Sequence, residues 1–239
     1  MKLKHLALAS LITISQFALA DETSLKKAIQ AAYPKFKVKS VVKTPYAGLY
    51  EVFMGGQIIY TDEKLNFLIA EGRLIDPKTK KDITGERLEE LTRIDFNSLP
   101  LDKAIKVVKG NGSRKIAVFS DVDCPFCKRL EQNEFSNITD VTIYTFLYPL
   151  VQLHPDAAEK SKLIWCADNR VEAWNEWIFN NKLPKSVGSC EVPLEQIGKL
   201  ARKIGVTSTP TLIFSDGKRM MGAQPYKGIE AAMQAAIKK

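Results

Sequence analysis

The chain has 239 residues, 45% of them hydrophobic, with 35 Lys and Arg set against 27 Asp and Glu, for a formal charge of +8. That length allows a sizeable core without covalent staples, and the modest basic excess is spread along the chain with no clustered motif of the kind nucleic-acid readers carry, so no nucleic acid is expected as a partner. Lys35, Lys37, Lys39 and Lys43 alternate along one strand-like stretch, where a solvated strand face is favoured over an anion-binding patch.

The first twenty residues, MKLKHLALASLITISQFALA, combine a lysine-bearing start, an apolar middle and small residues at Ala18 and Ala20, the pattern of a cleaved secretory signal. The apolar stretch is short and broken by Ser10, Thr13, Ser15 and Gln16, whereas a membrane span needs about 20 mostly apolar residues. Cleavage after Ala20 is expected, with the mature chain beginning at Asp21. No later segment reads as a bilayer span and no lipid-attachment cysteine stands near the cleavage point, so a soluble exported protein is expected.

Residues 21–85 read as a small helix-plus-sheet domain. TSLKKAIQAAY places Leu25, Ala28, Ile29 and Ala32 at helical spacing, with Thr23 or Ser24 to cap the first turn. KVKSVV, GLYEVF, QIIYT and LNFLIAEGRLI are strand-like, and the pair Gly55 and Gly56 supplies the positive φ of a tight hairpin. Residues 86–109 read as a connector, in which Leu88 and Leu91 mark an amphipathic helix and Pro100 ends or bends what precedes it. Residues 110–239 open with a GNGS turn and the buried-looking strand KIAVFS, followed by a cysteine pair, a second strand VTIYTFLY, helical residues 156–182 and a further helix at PLEQIGKLARKIG. TPTLIF and KRMMG then flank a turn at Asp216 and Gly217, and GIEAAMQAAIKK closes as a helix. That order is α/β with a central mixed sheet.

The four cysteines all lie in this last region, and export makes disulfide chemistry available to them. In SDVDCPFCKRL, Cys124 follows a strand and precedes Pro125, a residue suited to the first position of a helix. Cys124 is therefore placed at a helix N-cap, among unpaired N–H groups and the positive end of the helix dipole, both of which favour a thiolate. Lowering a thiol from about 8.5 by two pKa units needs about 2.7 kcal/mol, and a helix terminus supplies up to about 2 kcal/mol. Hydrogen bonds and Lys128 or Arg129 must provide the rest. Cys127, one turn inward, is the natural resolving thiol. Asp121 is a candidate proton relay to that buried partner, although a solvated or strand-end carboxylate is the favoured reading, since a useful pKa requires burial or a like-charged neighbour.

Cys166, in an apolar helix beside Trp165, and Cys190, in the loop KSVGSCEVP, read as a structural disulfide whose closed loop is worth roughly 3 to 3.5 kcal/mol. A zinc site commonly uses two short knuckles; one is present here, and the lone His154 reads as a loop or helix-start residue, so no metal is expected.

The strand-Cys-Pro-Phe-Cys-helix unit and GVTSTPTLIF before a hairpin resemble the thioredoxin superfamily. The whole order, from a small N-terminal domain through FSDVDCPFCKRL, IWCADN and GSCEV to GVTSTPTLIFSDG, resembles bacterial disulfide isomerases of the DsbC type across essentially the mature chain. That resemblance implies a thioredoxin-like catalytic domain with a helical insertion, joined by a linker helix to a small cystatin-like domain through which a V-shaped homodimer forms. It implies that Cys124 attacks misoxidised exported proteins and Cys127 resolves the mixed disulfide. It also implies that Thr209 and a cis Pro210 contact substrate backbone, and that a membrane thiol reductase of the DsbD type returns electrons in the periplasm, with no metal or organic cofactor. Where the DsbC type commonly has Gly-Tyr between its cysteines this chain has Pro125 and Phe126; proline there resembles the DsbG branch, while the pair Cys166 and Cys190 resembles DsbC. Two further readings follow: a DsbG-like reductase of sulfenylated cysteines, or a dimeric chaperone whose apolar cleft holds unfolded chains.

Overall fold

The structure, a computed structural model, describes residues 16–237, with side chains described from residue 22. Most of the expected leader at residues 1–20 lies outside the described residues. No helix among the described residues is long and apolar enough to cross a membrane. The chain forms two compact units, one ending at Leu91 and the other running from Thr92.

In the first unit a helix, α1 (Gln16–Ala32), precedes four antiparallel strands in sequence order, β1 (Val38–Lys43), β2 (Tyr50–Met54), β3 (Gln57–Thr61) and β4 (Leu68–Ile69). The helix begins ahead of Thr23 and Ser24, so neither residue caps it. Leu25 and Ile29 of α1 pack with Val38, Val41, Tyr50, Val52 and Met54. On the alternate positions, Phe53, Ile58 and Tyr60 pack with Leu88 and Leu91 of α2 (Ile83–Leu91). This alternation is the two-residue period of a strand presenting both its faces. Gly55 and Gly56 join β2 to β3 with φ of 62° and 81°, and Met54 pairs with Gln57 across them, the two-residue turn that only positive φ permits.

The stretch expected as a connector, residues 86–109, divides between the two units. Helix α2 stays on the first sheet, held also by the Tyr60 and Thr84 hydroxyls at 2.6 Å. Ile94, Phe96, Leu99 and Ala104 instead enter the core of the second unit, and IKVVK forms its first strand, β5 (Ile105–Lys109). Scattered apolar residues among charges read as exposed in one dimension; in the folded chain each of these four is buried.

The second unit is built on a five-stranded mixed sheet ordered β5-β7-β6-β8-β9, with β6 (Arg114–Ser120) parallel to β7 (Val141–Leu147) and antiparallel to β8 (Thr211–Phe214), and with β9 (Arg219–Met221) at the far edge. Ala117 and Phe119 point to the face covered by α6 (Leu194–Ile204), whereas Ile116 and Val118 face α7 (Tyr226–Ile237) and the helical run after Cys124. Between β7 and β8 lies the helical insertion: α4 (Ala157–Trp165) and α5 (Arg170–Asn180), followed by α6. The helical stretch expected at 156–182 is thus two helices, broken after Trp165, with Asn169 capping α5 by accepting from the Glu172 N–H at 3.1 Å.

Candidate active site

Strand β6 ends at Ser120, and the chain turns through Asp121, Val122 and Asp123 to Cys124, which caps α3 (Pro125–Arg129) in an extended conformation with Pro125 following. The helical run continues through a π-helical turn at Leu130–Glu134. Such a turn shifts the register of side chains along the axis, and here it is tied to α5, with the Gln132 amide donating to the Ile178 carbonyl at 2.6 Å and the Trp174 indole to Glu131 at 3.4 Å.

Cys124 and Cys127 are free thiols. Cys124 is 4% exposed and Cys127 is fully buried, so a substrate reaches the Cys124 sulfur only by a narrow approach. The Cys127 thiol donates to the Cys124 sulfur, and with the N–H groups of Cys127 and Phe126 it draws Cys124 down to about 5, against the opposing effect of burial. Burial, and then the negative sulfur beside it, push Cys127 upward. A donor pointing at a thiolate favours the charged form of one group and the neutral form of the other.

The bond between Thr209 and Pro210 is cis, and the Cys124 sulfur lies 3.5 Å from the Thr209 carbonyl oxygen. The buried Thr209 hydroxyl has no hydrogen-bond partner among the described residues. Phe126, at 54% exposed, stands outward beside the pair, its ring 5.3 Å from the Arg129 guanidinium.

Asp121 stands at the end of β6, as one of the two favoured readings had it, but it is not solvated: it is fully buried. One oxygen accepts the Asp123 N–H at 2.8 Å, the other accepts the Leu150 N–H at 2.6 Å, and His154 Nδ1 lies 3.0 Å from that second oxygen. The chain folds back after β7, and its backbone donors replace the water that a strand-end carboxylate would otherwise keep.

The basic residues expected to help Cys124 have other direct partners. Lys128 donates to the Asn181 side chain at 2.6 Å and lies 4.4 Å from the centre of the Trp177 ring, while Arg129 donates to the Ala223 carbonyl at 3.1 Å. A second ammonium, Lys160 of α4, lies 5.0 Å from the same indole and pairs with both oxygens of Asp123 at 2.9 and 2.8 Å. The Trp177 N–H donates to the Val122 carbonyl at 2.7 Å. Sequence spacing had no way to select Lys160 or Trp177, which reach the site only because α4 and α5 fold over the turn.

Cys166 and Cys190 are joined as a disulfide, linking the end of α4 to the loop before α6. Among the described residues no three His, Cys, Asp or Glu side chains gather as a metal site would require.

Two family models match the chain: a disulfide bond isomerase protein N-terminal domain over residues 16–85 and a thioredoxin-like domain over residues 101–237. A probable thiol:disulfide interchange protein DsbC of Bordetella parapertussis is 40% identical over 210 residues, covering 88% of this chain and 73% of that protein. The thiol:disulfide interchange protein DsbC of Escherichia coli K12 is 27% identical over 231 residues, covering 95% of this chain and 93% of that one. A crystal structure of a disulfide interchange protein from Neisseria gonorrhoeae superposes with a TM-score of 0.55 at 45% identity, over 58% of this chain and 98% of that structure. With both of its parts matched and extended identity to these relatives, the chain belongs to the DsbC family of thiol:disulfide interchange proteins.

Proposed function

We propose that this protein isomerises and reduces wrongly paired disulfides in exported proteins, with Cys124 as the nucleophile and Cys127 as the resolving thiol. The opposed ionisation of the two cysteines carries this reading: Cys124 is held near 5 by the Cys127 thiol and backbone N–H groups, while burial drives Cys127 the other way. At neutral pH one sulfur is therefore ready to attack and the other keeps its proton.

The Cys124 thiolate attacks one sulfur of a substrate disulfide; a new S–S bond forms, the old one breaks, and the other substrate sulfur leaves as a thiolate. If a substrate thiolate then attacks the substrate sulfur of the mixed disulfide, Cys124 is expelled as a thiolate and the substrate has been repaired with no net electron transfer. If Cys127 instead gives its proton to the leaving substrate sulfur and attacks Cys124, the substrate departs as a dithiol and the enzyme holds a Cys124–Cys127 disulfide. That disulfide needs two electrons from a dithiol donor, for which we assign a membrane reductase of the DsbD type.

Thr209 and Pro210 bind the substrate backbone beside the sulfur, a role supported by the 3.5 Å approach of the Thr209 carbonyl. Asp121 serves the site by holding the Leu150–His154 loop, since its oxygens already accept two backbone N–H groups, rather than by carrying protons. The exposed apolar side chains of Phe126, Val151, Leu153 and Met221 suit unfolded chains and support an accompanying chaperone activity. We further propose secretion to the periplasm after cleavage at Ala20, and a homodimer formed through the N-terminal unit.

Refolding of a scrambled multi-disulfide protein tests the mechanism. Cys124→Ala should fall to the uncatalysed background, while Cys127→Ala should retain some isomerisation and accumulate mixed disulfides. A wild-type rate in Cys124→Ala would end the proposal.

A further inference from the structure

The charge pair closest in sequence to the nucleophile reaches across the fold. Asp123 immediately precedes Cys124, and a bare carboxylate there would oppose a thiolate one residue away. Its partner Lys160 comes from α4, thirty-seven residues along the chain, and contacts both carboxylate oxygens. The two side chains are largely covered, at 17% and 23% exposed, so their interaction is screened less than that of a surface pair. Trp177 completes the arrangement: its ring carries Lys160 and Lys128 at 5.0 and 4.4 Å, and its N–H is fixed to Val122, two residues before the nucleophile. Burial lowers the Lys128 ammonium from its ordinary range; the Asp123 carboxylate, which Lys128 also faces, opposes that shift, and the neighbouring Lys160 charge adds to it.

We propose that Lys160 is a positioning residue for disulfide exchange, neutralising Asp123 so that the field at the Cys124 sulfur is set by the Cys127 thiol and the N–H groups of the helix N-terminus rather than by a carboxylate. Lys160 touches neither sulfur nor substrate; it acts through Asp123 and through the Trp177 platform that it shares with Lys128. The proposal rests on Cys124 being the nucleophile.

The sign of the effect separates electrostatics from simple tethering. The rate of alkylation at Cys124 by iodoacetamide, localised by peptide mass spectrometry and followed against pH, reads the thiolate directly in the full-length reduced protein. Lys160→Met leaves Asp123 unpaired and should raise the midpoint by about half a pH unit, and Asp123→Asn should lower it by a similar amount. The double variant should return close to the wild type. The same shift should make the reduced form of Lys160→Met about threefold less favoured in equilibrium with glutathione.

A purely mechanical clamp would be broken equally by either single change. Midpoints that move in the same direction, or that do not move, would overturn the proposal, and Lys160→Gln carries the same sign test should Lys160→Met fail to fold. Because alkylation is read without turnover, loss of the isomerase reading through an inactive wild-type enzyme would remain distinguishable from failure here.

Discussion

At Cys124 the helix N-terminus is one of several donors, and the neighbouring thiol is the largest. Cys127 is fully buried, and hydrogen bonding from its side chain is the largest of the effects that lower Cys124. A hydrogen bond to a charged group is worth about 1.5 to 3 kcal/mol, equivalent to roughly one to two pKa units. Cys127→Ala removes that donor, so the pH midpoint for alkylation of Cys124 should rise by about one pH unit or more relative to the wild type. Cys127→Ser keeps a hydroxyl donor and should recover part of the shift. Equal midpoints in wild type and Cys127→Ala would show that the backbone N–H groups suffice. Legibility at this scale was uneven. The proline after Cys124 announced a helix start, but the spacing of Lys128 and Arg129 suggested helpers that the folded chain directs to Trp177, Asn181 and Ala223.

The elements around the site carry their own signatures. Gly217, in the turn between β8 and β9, has φ of 83°, and a Cβ there would run into the backbone of Ile94, whose N–H donates to the Gly217 carbonyl at 2.9 Å. Gly217→Ala should destabilise the second unit by about 2 to 3 kcal/mol, read as a lower denaturant midpoint with an unchanged slope. In the π-helical turn, loss of hydration pushes the Glu131 carboxyl up to about 7, against the Trp174 N–H and the Lys109 charge. Relative to an ordinary carboxyl near 4.5, the folded state holds this proton more tightly, so its contribution to stability is full at low pH and is lost as pH rises toward 7. Glu131→Gln should flatten that part of the stability–pH curve; an unchanged slope would place the titration elsewhere. The disulfide between Cys166 and Cys190 closes a loop of 24 residues in separation, and the double alanine variant should lose roughly 3 kcal/mol of stability while keeping the Cys124 alkylation profile.

At the scale of the molecule, the first unit presents β1 and β4 as the edges of its sheet, and an open edge offers backbone donors and acceptors to another chain. If this unit forms the homodimer, a shortened chain lacking residues 21–85 should sediment as a monomer; a persisting dimer would place the interface in the second unit. The mixed sheet, the paired glycines of the first hairpin and the Asp216–Gly217 turn were legible because alternation and positive φ are local properties written in neighbouring residues. The connector at 86–109 was misjudged in its second part, since Ile94, Phe96, Leu99 and Ala104 show no single period and are gathered only by the core they enter. By itself the sequence determined that two close cysteines stand at a strand-to-helix turn, with a proline to start the helix and a second pair spaced for a staple. Only the tertiary structure decided the burial of Asp121, the approach of Thr209 to the sulfur and the grip of Lys160 on Asp123, because contacts between residues tens of positions apart depend on how helices and strands pack, not on the spacing along any one of them.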